Sequence, residues 1–330
     1  MANTSMVKKS NRDLQIAVIG VGGWGKNHAR VLHDIGVLSA ICDSDPERTK
    51  KMADLYNTNA YHSVDELLQK ERSLDACIVC TPTKTHSIVA KKVIDSGINI
   101  FVEKPLSFST IECEEMVSAA SKRGVILTSG YVERFNPAVQ DFREIIDKKQ
   151  YGDLIMMEFH RENRMPLHIR DVGIIYDTSV HDIDTAMFLF NSTPTMVFAR
   201  AGKKFHSYED FATIMLGFAN QKVAIIASNW ITPKKVRMFS AVCTEGIITG
   251  DFITQEIKID HGDATLIPRR PHIQEPLTLE LRSFLSAISG ENCAPLASAT
   301  DAVNVTRVAE AALLSSNTGS PIYLDLKKTD

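Results

Sequence analysis

Short apolar runs alternate with amphipathic stretches along the first 130 residues. Residues 15–19, 37–42, a short run near Ala60, 76–80, 98–102 and 125–129 are apolar without the in-out alternation of a half-exposed strand, so they read as strands buried on both faces. Helix signals fill the gaps. Residues 26–35 read as a helix closed by Gly36, and Gly97 and Gly124 end later helices in the same way. Asp45-Pro46 supplies an N-cap with proline at the first helical position, while Ser63 with Glu66, and Ser109 with Glu112, have capping-box spacing. Strand and helix in alternation predict a doubly wound parallel sheet with right-handed crossovers.

The pattern changes after about Tyr131. Residues 154–161, 195–201, 210–218, 222–230, 236–243 and 255–260 read as strands joined by turns such as Ala219-Asn220-Gln221, and helix signals become sparse. One strong helix is expected at 177–190, with an apolar stripe of Val180, Ile183, Met187 and Phe190. Two late helices, 280–289 and 300–316, and a last strand, 322–326, are assigned to the same second domain. The expected fold class is therefore α/β: a tail at 1–13, a Rossmann-like domain at 14–130, and an α+β domain at 131–330 with a large, mainly antiparallel open sheet. A sheet with helices on one face leaves the other to water or to a partner. Met156, Ile214, Ile225, Ile226 and Met238 predict a partner, and hence a homodimer or homotetramer.

The turn after the first strand carries the first candidate chemistry. In Gly20-Val21-Gly22-Gly23-Trp24-Gly25 the glycines at 20, 22 and 25 match G-x-G-x-x-G between a strand and a helix. Such a loop permits a tight bend, lets backbone N–H groups approach a pyrophosphate, and packs helix against strand, with the phosphates on the helix N-terminus. Asp43 ends the next strand roughly twenty residues on, where a carboxylate accepts from the adenine ribose hydroxyls and repels a 2′-phosphate. That favours NAD over NADP, although Arg48 nearby offers NADP a counter-charge. Thr81, Pro82 and His86 follow the fourth strand, and Glu103-Lys104-Pro105 follows the fifth. Ligands of open α/β sheets bind outside the carboxyl ends of strands, so these turns are expected around the cofactor. Lys104 is held by the restricted backbone that precedes proline.

Composition narrows the partners. With 44% hydrophobic and 23% charged residues in 330, the chain suits a globular protein, and Lys+Arg of 37 against Asp+Glu of 40 gives no basic surplus for nucleic acid. Residues 1–13 lack an apolar signal core and no later run is long enough to span a bilayer, so no membrane partner and a cytoplasmic location are expected. Of the six cysteines, Cys77 and Cys80 form a C-x-x-C pair inside a strand run with no second pair to complete a zinc site, which reads as packing.

In the 177–190 helix, Asp177, His181 and Asp184 stand at i, i+4 and i+7 beside the apolar stripe. Two accounts stay open. In one, Asp177 supports the helix dipole and Asp184 satisfies the histidine. In the other the histidine takes a proton from an alcohol, an ammonium such as Lys104 stabilises the developing alkoxide, and a carboxylate orients them. A metal is not expected, because one histidine among carboxylates needs further ligands.

The glycine loop, Glu103-Lys104-Pro105 and Asp177-x-x-x-His181-x-x-Asp184 together resemble the Gfo/Idh/MocA family of NAD(P)-dependent sugar oxidoreductases. The resemblance implies oxidation of a sugar or inositol hydroxyl, with Lys104 and His181 as the catalytic pair, Asp177 as their partner, and Thr81, Pro82, His86 and Glu103 lining the cofactor. Gly130-Tyr131-Val132-Glu133-Arg134-Phe135-Asn136-Pro137 and Ile169-Arg170-Asp171-Val172-Gly173 are similar to segments of the branch that oxidises the 3-hydroxyl of UDP-N-acetylglucosamine. There Tyr131 stands where histidine is expected. Arg134, Arg161, Arg164 and Arg170 would supply charge for a diphosphate. The same fold also implies three alternatives: a dehydrogenase of another sugar or inositol, an NAD-dependent glycosidase, and a cofactor-binding regulator without chemistry.

Overall fold

The structure, a computed structural model, describes residues 13–165, 172–268 and 273–324. Most of the polar tail, Arg170 and the end of the expected last strand lie outside these residues. The chain divides into two compact units. The first runs to Ser107 and adds Ile111–Gly130 and Leu277–Ala302; the second holds Phe108–Thr110, Tyr131–Pro276 and the chain from Val303.

In the first unit β1 (Ile16–Ile19), β2 (Leu38–Cys42), β3 (Asn59–Tyr61), β4 (Ala76–Val79), β5 (Asn99–Val102) and β6 (Leu127–Ser129) form one parallel sheet in the order β3-β2-β1-β4-β5-β6. Every residue of β1 and β4 is buried, as strands covered on both faces must be. The connecting helices are α1 (Gly25–Ile35), α2 (Pro46–Tyr56), α3 (Val64–Lys70), α4 (His86–Asp95) and α5 (Thr110–Arg123). Asp45 caps α2 through the Glu47 and Arg48 amides, Ser63 caps α3 through the Glu66 amide, and Gly36 closes α1 in the left-handed region. The strand order reverses between β1 and β4, the position at which such sheets open a crevice for a ligand.

The second unit contains α6 (Pro137–Asp147), β7 (Leu154–Glu162), α7 (Val180–Phe190), β8 (Met196–Gly202), β9 (Phe211–Gly217), β10 (Val223–Asn229), β11 (Val236–Cys243), β12 (Ile247–Asp251), β13 (Ile257–His261) and β14 (Ala264–Leu266). After α8 (Pro276–Ile288) and α9 (Ala299–Thr318), β15 (Ile322–Tyr323) completes a nine-stranded sheet, β14-β13-β12-β11-β7-β10-β9-β8-β15. Only β7 and β10 pair in parallel. Helix α6 packs on β12 and β13, and α7 on β7 and β10. The face under these helices carries Met157, Phe159, Ala224, Ile226, Ile214 and Phe239, all buried. Ile214 and Ile226 therefore belong to the core and not to the open face expected from the sequence, because neighbouring strand residues such as Ile225 and Ile226 point to opposite sides. Met156 and Ile225 are half-exposed and Met238 is exposed on the opposite face.

Two further features differ from the sequence expectation. Helix α6 and strand β12 occur where no element is expected, although Asn136 followed by Pro137 is a helix start, and the Asn136 side chain does cap the Ala138 amide. Residues Leu277–Ala302 group with the first unit, not the second. Phe284 of α8 meets Phe101 of β5 edge-on at 5.6 Å, and Thr128 donates to the Ala297 carbonyl at 2.7 Å. Helical periodicity shows which face is buried, not which sheet covers it. Among the described residues no helix is long and apolar enough to cross a membrane.

Candidate active site

The glycine turn at the end of β1 is shaped by contact with its neighbours. Gly20 has φ +86°, and a Cβ there would lie 2.8 Å from the Cys80 carbonyl and the Thr81 amide. A Cβ on Gly25 would fall 1.8 Å from the Gly20 carbonyl oxygen, so only glycine lets α1 begin this close to β1. Gly22 and Gly23 are different. Around Gly22 the nearest atom is Arg48 Nη1 at 3.7 Å, and around Gly23 nothing lies within 4 Å. Helix α1 starts without a side-chain cap and without an acid in its first turn, leaving N–H groups and the dipole for an anion. Asp43, buried at the end of β2, accepts from the Val21 amide at 2.8 Å and from Arg48 Nη1 at 3.2 Å, and Arg48 also pairs with Asp45 at 3.1 Å. A tight turn, an open backbone, an uncapped helix start and a carboxylate tied to the loop fit the diphosphate and ribose of NAD.

The turns after β4 and β5 are pinned to that loop. Glu103 Oε1 accepts from Trp24 Nε1 at 2.9 Å and lies 2.7 Å from His28 Nε2, while Oε2 accepts the Lys104 amide at 3.0 Å. Burial works against the Glu103 charge, but the His28 bond and the charges of His28 and Lys104 outweigh it and hold the carboxyl below the usual glutamate range. A Cβ on Gly130 would sit 2.8 Å from Glu103 Oε1, which explains glycine after β6. His28 belongs to no motif of the sequence. Its signal was its place four residues after Trp24, one helical turn along the same face. The Lys104-Pro105 peptide is cis. His86 is 1% exposed, with Nδ1 3.0 Å from the Pro105 carbonyl and Nε2 2.8 Å from the Thr81 carbonyl. It braces the two turns and does not line an open cofactor surface as expected; burial pushes its pKa down. Thr81 and Pro82 stand at the end of β4, ahead of a single 3₁₀ turn at Thr83–Thr85. Cys77 and Cys80 remain free thiols whose pKa values burial pushes up.

In the second unit the expected helix at 177 is irregular where the chemistry lies. Ile175–Ser179 forms a π turn and the α-helix begins at Val180, so Asp177 sits in the wider turn and half-buried His181 in the first α turn. Asp177 accepts from Thr178 Oγ1 at 3.1 Å. Asp184 is not a partner on the same edge, as the spacing suggested. It is fully buried and receives Arg134 through Nε at 2.8 Å and Nη2 at 2.6 Å. Arg161, 2% exposed, donates to Asp182 at 2.8 Å and to Glu133 at 2.9 Å. Burial opposes the Arg161 charge, yet Asp182 and Glu133 push its pKa up. Arg134 and Arg161 are thus committed to carboxylates of their own unit, which corrects their assignment to a substrate diphosphate. Tyr131 is also buried, at 1% exposure, and not on an open substrate surface; Arg170 lies outside the described residues. Among the described residues no group of His, Cys, Asp and Glu is arranged to hold a metal.

Residues 14–131 match the oxidoreductase family Gfo/Idh/MocA, NAD-binding Rossmann fold, and residues 139–249 match the Gfo/Idh/MocA C-terminal domain. The chain belongs to this family, an oxidoreductase family among whose members are sugar and inositol dehydrogenases. It is 28% identical over 285 residues to UDP-N-acetylglucosamine 3-dehydrogenase of Acidithiobacillus ferrooxidans, covering 84% of this chain and 89% of that one. A solved structure of that enzyme, GnnA, superposes with a TM-score of 0.84 at 25% identity over 92% of this chain and 98% of the other. The scyllo-inositol 2-dehydrogenase (NAD(+)) of Bacillus subtilis is 27% identical, covering 96% and 97%.

Proposed function

We infer that the chain oxidises a hydroxyl of a nucleotide sugar to a ketone, the substrate being a UDP-N-acetyl-hexosamine and the position C3. The observation that supports this best is an open pyrophosphate cradle with Lys104 anchored through Glu103, in a chain similar to UDP-N-acetylglucosamine 3-dehydrogenase over 89% of that enzyme. NAD, when bound, takes up the hydride that leaves the sugar carbon. Lys104 holds the hydroxyl oxygen and stabilises the charge that develops on it. His181 accepts the hydroxyl proton and Asp177 orients the imidazole. Glu103, bonded to the Lys104 amide, sets where the lysine begins. The open sheet face carrying Met156, Ile225 and Met238 meets a second copy of the chain, in a dimer or tetramer.

A screen of NAD reduction tests the substrate, with UDP-N-acetylglucosamine set against free N-acetylglucosamine, simple sugars and inositols. The expected result is turnover of the nucleotide sugar with a ketosugar product and steady NADH. Turnover of inositols alone favours the second reading, an inositol dehydrogenase, which rests on the Bacillus subtilis relative. Lys104→Ala and His181→Ala should each lower turnover by about 10²- to 10⁴-fold with NAD affinity nearly intact. Wild-type turnover in either variant removes that residue from the mechanism.

A further inference from the structure

Arg161 spends its donors on carboxylates; its neighbour across the sheet does not. Arg237 of β11 stands opposite Arg161 of β7 in the antiparallel ladder, so both side chains leave the same face. Phe239 opposite Phe159 and Ala241 opposite Met157, all buried, identify that face as the one under the helices. Lys235, just ahead of β11 and two residues before Arg237, is exposed and within reach of the Arg237 charge.

The carboxylates that face Arg237 are bonded elsewhere. Glu133 accepts from Arg161 and Asn136, Asp182 from Arg161, and Asp177 from Thr178. Among the described residues Arg237 makes no side-chain hydrogen bond or ion pair, and its Nε is sealed from solvent without a partner. Burial, and next the Arg161 charge, pull the Arg237 pKa down against Glu133, Asp182 and Asp177, and Arg237 in turn pulls Lys235 down. A guanidinium stays protonated even so. The fold therefore holds a guanidinium whose donors are unused, at a cost that a bound acceptor would offset.

The position of this pair is defined by the ladder. Ser228 of β10 flanks Arg161 on the other side, and its Oγ lies 3.1 Å from Ser179 Oγ, in the π turn that carries Asp177. Arg237 is thus two strands, about 10 Å, from the foot of that turn.

We propose that Arg237 and Lys235 form the subsite that takes the phosphoryl groups of the substrate. This rests on the nucleotide-sugar reading above. The guanidinium presents a planar fork to two phosphoryl oxygens, and the ammonium adds a compact second charge. It is the role that the sequence pattern suggested for Arg134 and Arg161, moved to the cations whose donors the fold leaves unused.

The test is calorimetric titration of UDP into the full chain saturated with NAD, so that the glycine loop is already filled. Arg237→Gln should weaken UDP by roughly 10- to 100-fold, the loss of a charge-assisted hydrogen bond, with Arg237→Lys intermediate and Lys235→Ala several-fold weaker than wild type. Equal UDP affinity in wild type, Arg237→Gln and Lys235→Ala overturns the subsite, as does the absence of UDP binding to the NAD-saturated wild type. Should Arg237→Gln not fold, Lys235→Ala decides, because that side chain is exposed. Turnover separates this from the proposed function. UDP binding that depends on Arg237, without oxidation of any UDP-sugar, sinks only the reaction; UDP-N-acetylglucosamine oxidised by Arg237→Gln with an unchanged KM sinks only the subsite.

Discussion

Glu103 links the glycine loop to Lys104 through one buried carboxylate. Its Oε1 serves Trp24 and His28 while Oε2 serves the Lys104 amide, so removing the charge loosens both sides at once. Its carboxyl is held below the ordinary glutamate value of 4.5, because His28 and Lys104 overcome the burial that would raise it. The sign follows from proton binding. As pH falls, the unfolded chain binds the proton first, so the ionised group stabilises the fold above about 4.5 and this contribution drains away below it. Thermal melts of wild type and Glu103→Gln should show a constant gap from about pH 7 to 5 that narrows toward pH 3. A gap that stays level to the acid end refutes the role. Residue types at this scale were legible, partners were not. Lys104, His181 and Asp177 stood out by motif, whereas Arg134 and Arg161 read as free cations because their carboxylates, Asp184, Asp182 and Glu133, are brought to them only by tertiary packing.

At the scale of elements, the first sheet could be read almost strand for strand, since strands buried on both faces are apolar throughout and glycines mark the turns between them. The π turn at Ile175–Ser179 could not, because its side-chain spacing over one turn is too close to that of an α-helix to separate them in sequence. Helix α6 has a legible start in Asn136-Pro137, but the strand-rich sequence after it masks the helix. The glycine turn gives the sharpest test of an element, because its glycines have different surroundings. Gly25→Ala drives a Cβ into the Gly20 carbonyl and should lower the melting temperature markedly in the apo protein. Gly22→Ala meets only the end of the Arg48 side chain, at 3.7 Å, so the apo melting temperature should stay within about 2 °C of wild type. Its added methyl occupies the path of a pyrophosphate, however, and the stabilisation by saturating NAD should largely disappear. Wild-type NAD stabilisation in Gly22→Ala would show that the loop does not carry the phosphates.

The whole molecule has an asymmetry that the parts do not resolve. The nine-stranded sheet is covered on one face by α6 and α7, and the part of β8 that the two-residue β15 leaves unpaired is closed by α9, whose Ser315 and Ser316 hydroxyls accept from the Ala199 and Ala201 amides. Its other face carries Met156 and Ile225, half-exposed, with Met238 at 37% and Phe211 at 41% exposure. Glu158 and His160 lie among them, so the face is not uniformly apolar, and the hydrophobic area is spread over β7, β9, β10 and β11. Packing two such faces about a twofold axis uses the same patch on both copies and removes both apolar surfaces from water together. Sedimentation at micromolar concentration should give a dimer or tetramer. Ile225→Glu with Met238→Glu puts charge on both halves of the contact at once, so each substitution acts twice per dimer and the mass should fall to that of the monomer. The variant should keep the apo fold of the Rossmann unit, read as an undiminished NAD affinity, because neither residue belongs to that unit. A wild-type chain that sediments as a monomer at that concentration excludes the second copy, and an unchanged mass in the double variant places any assembly on a different surface.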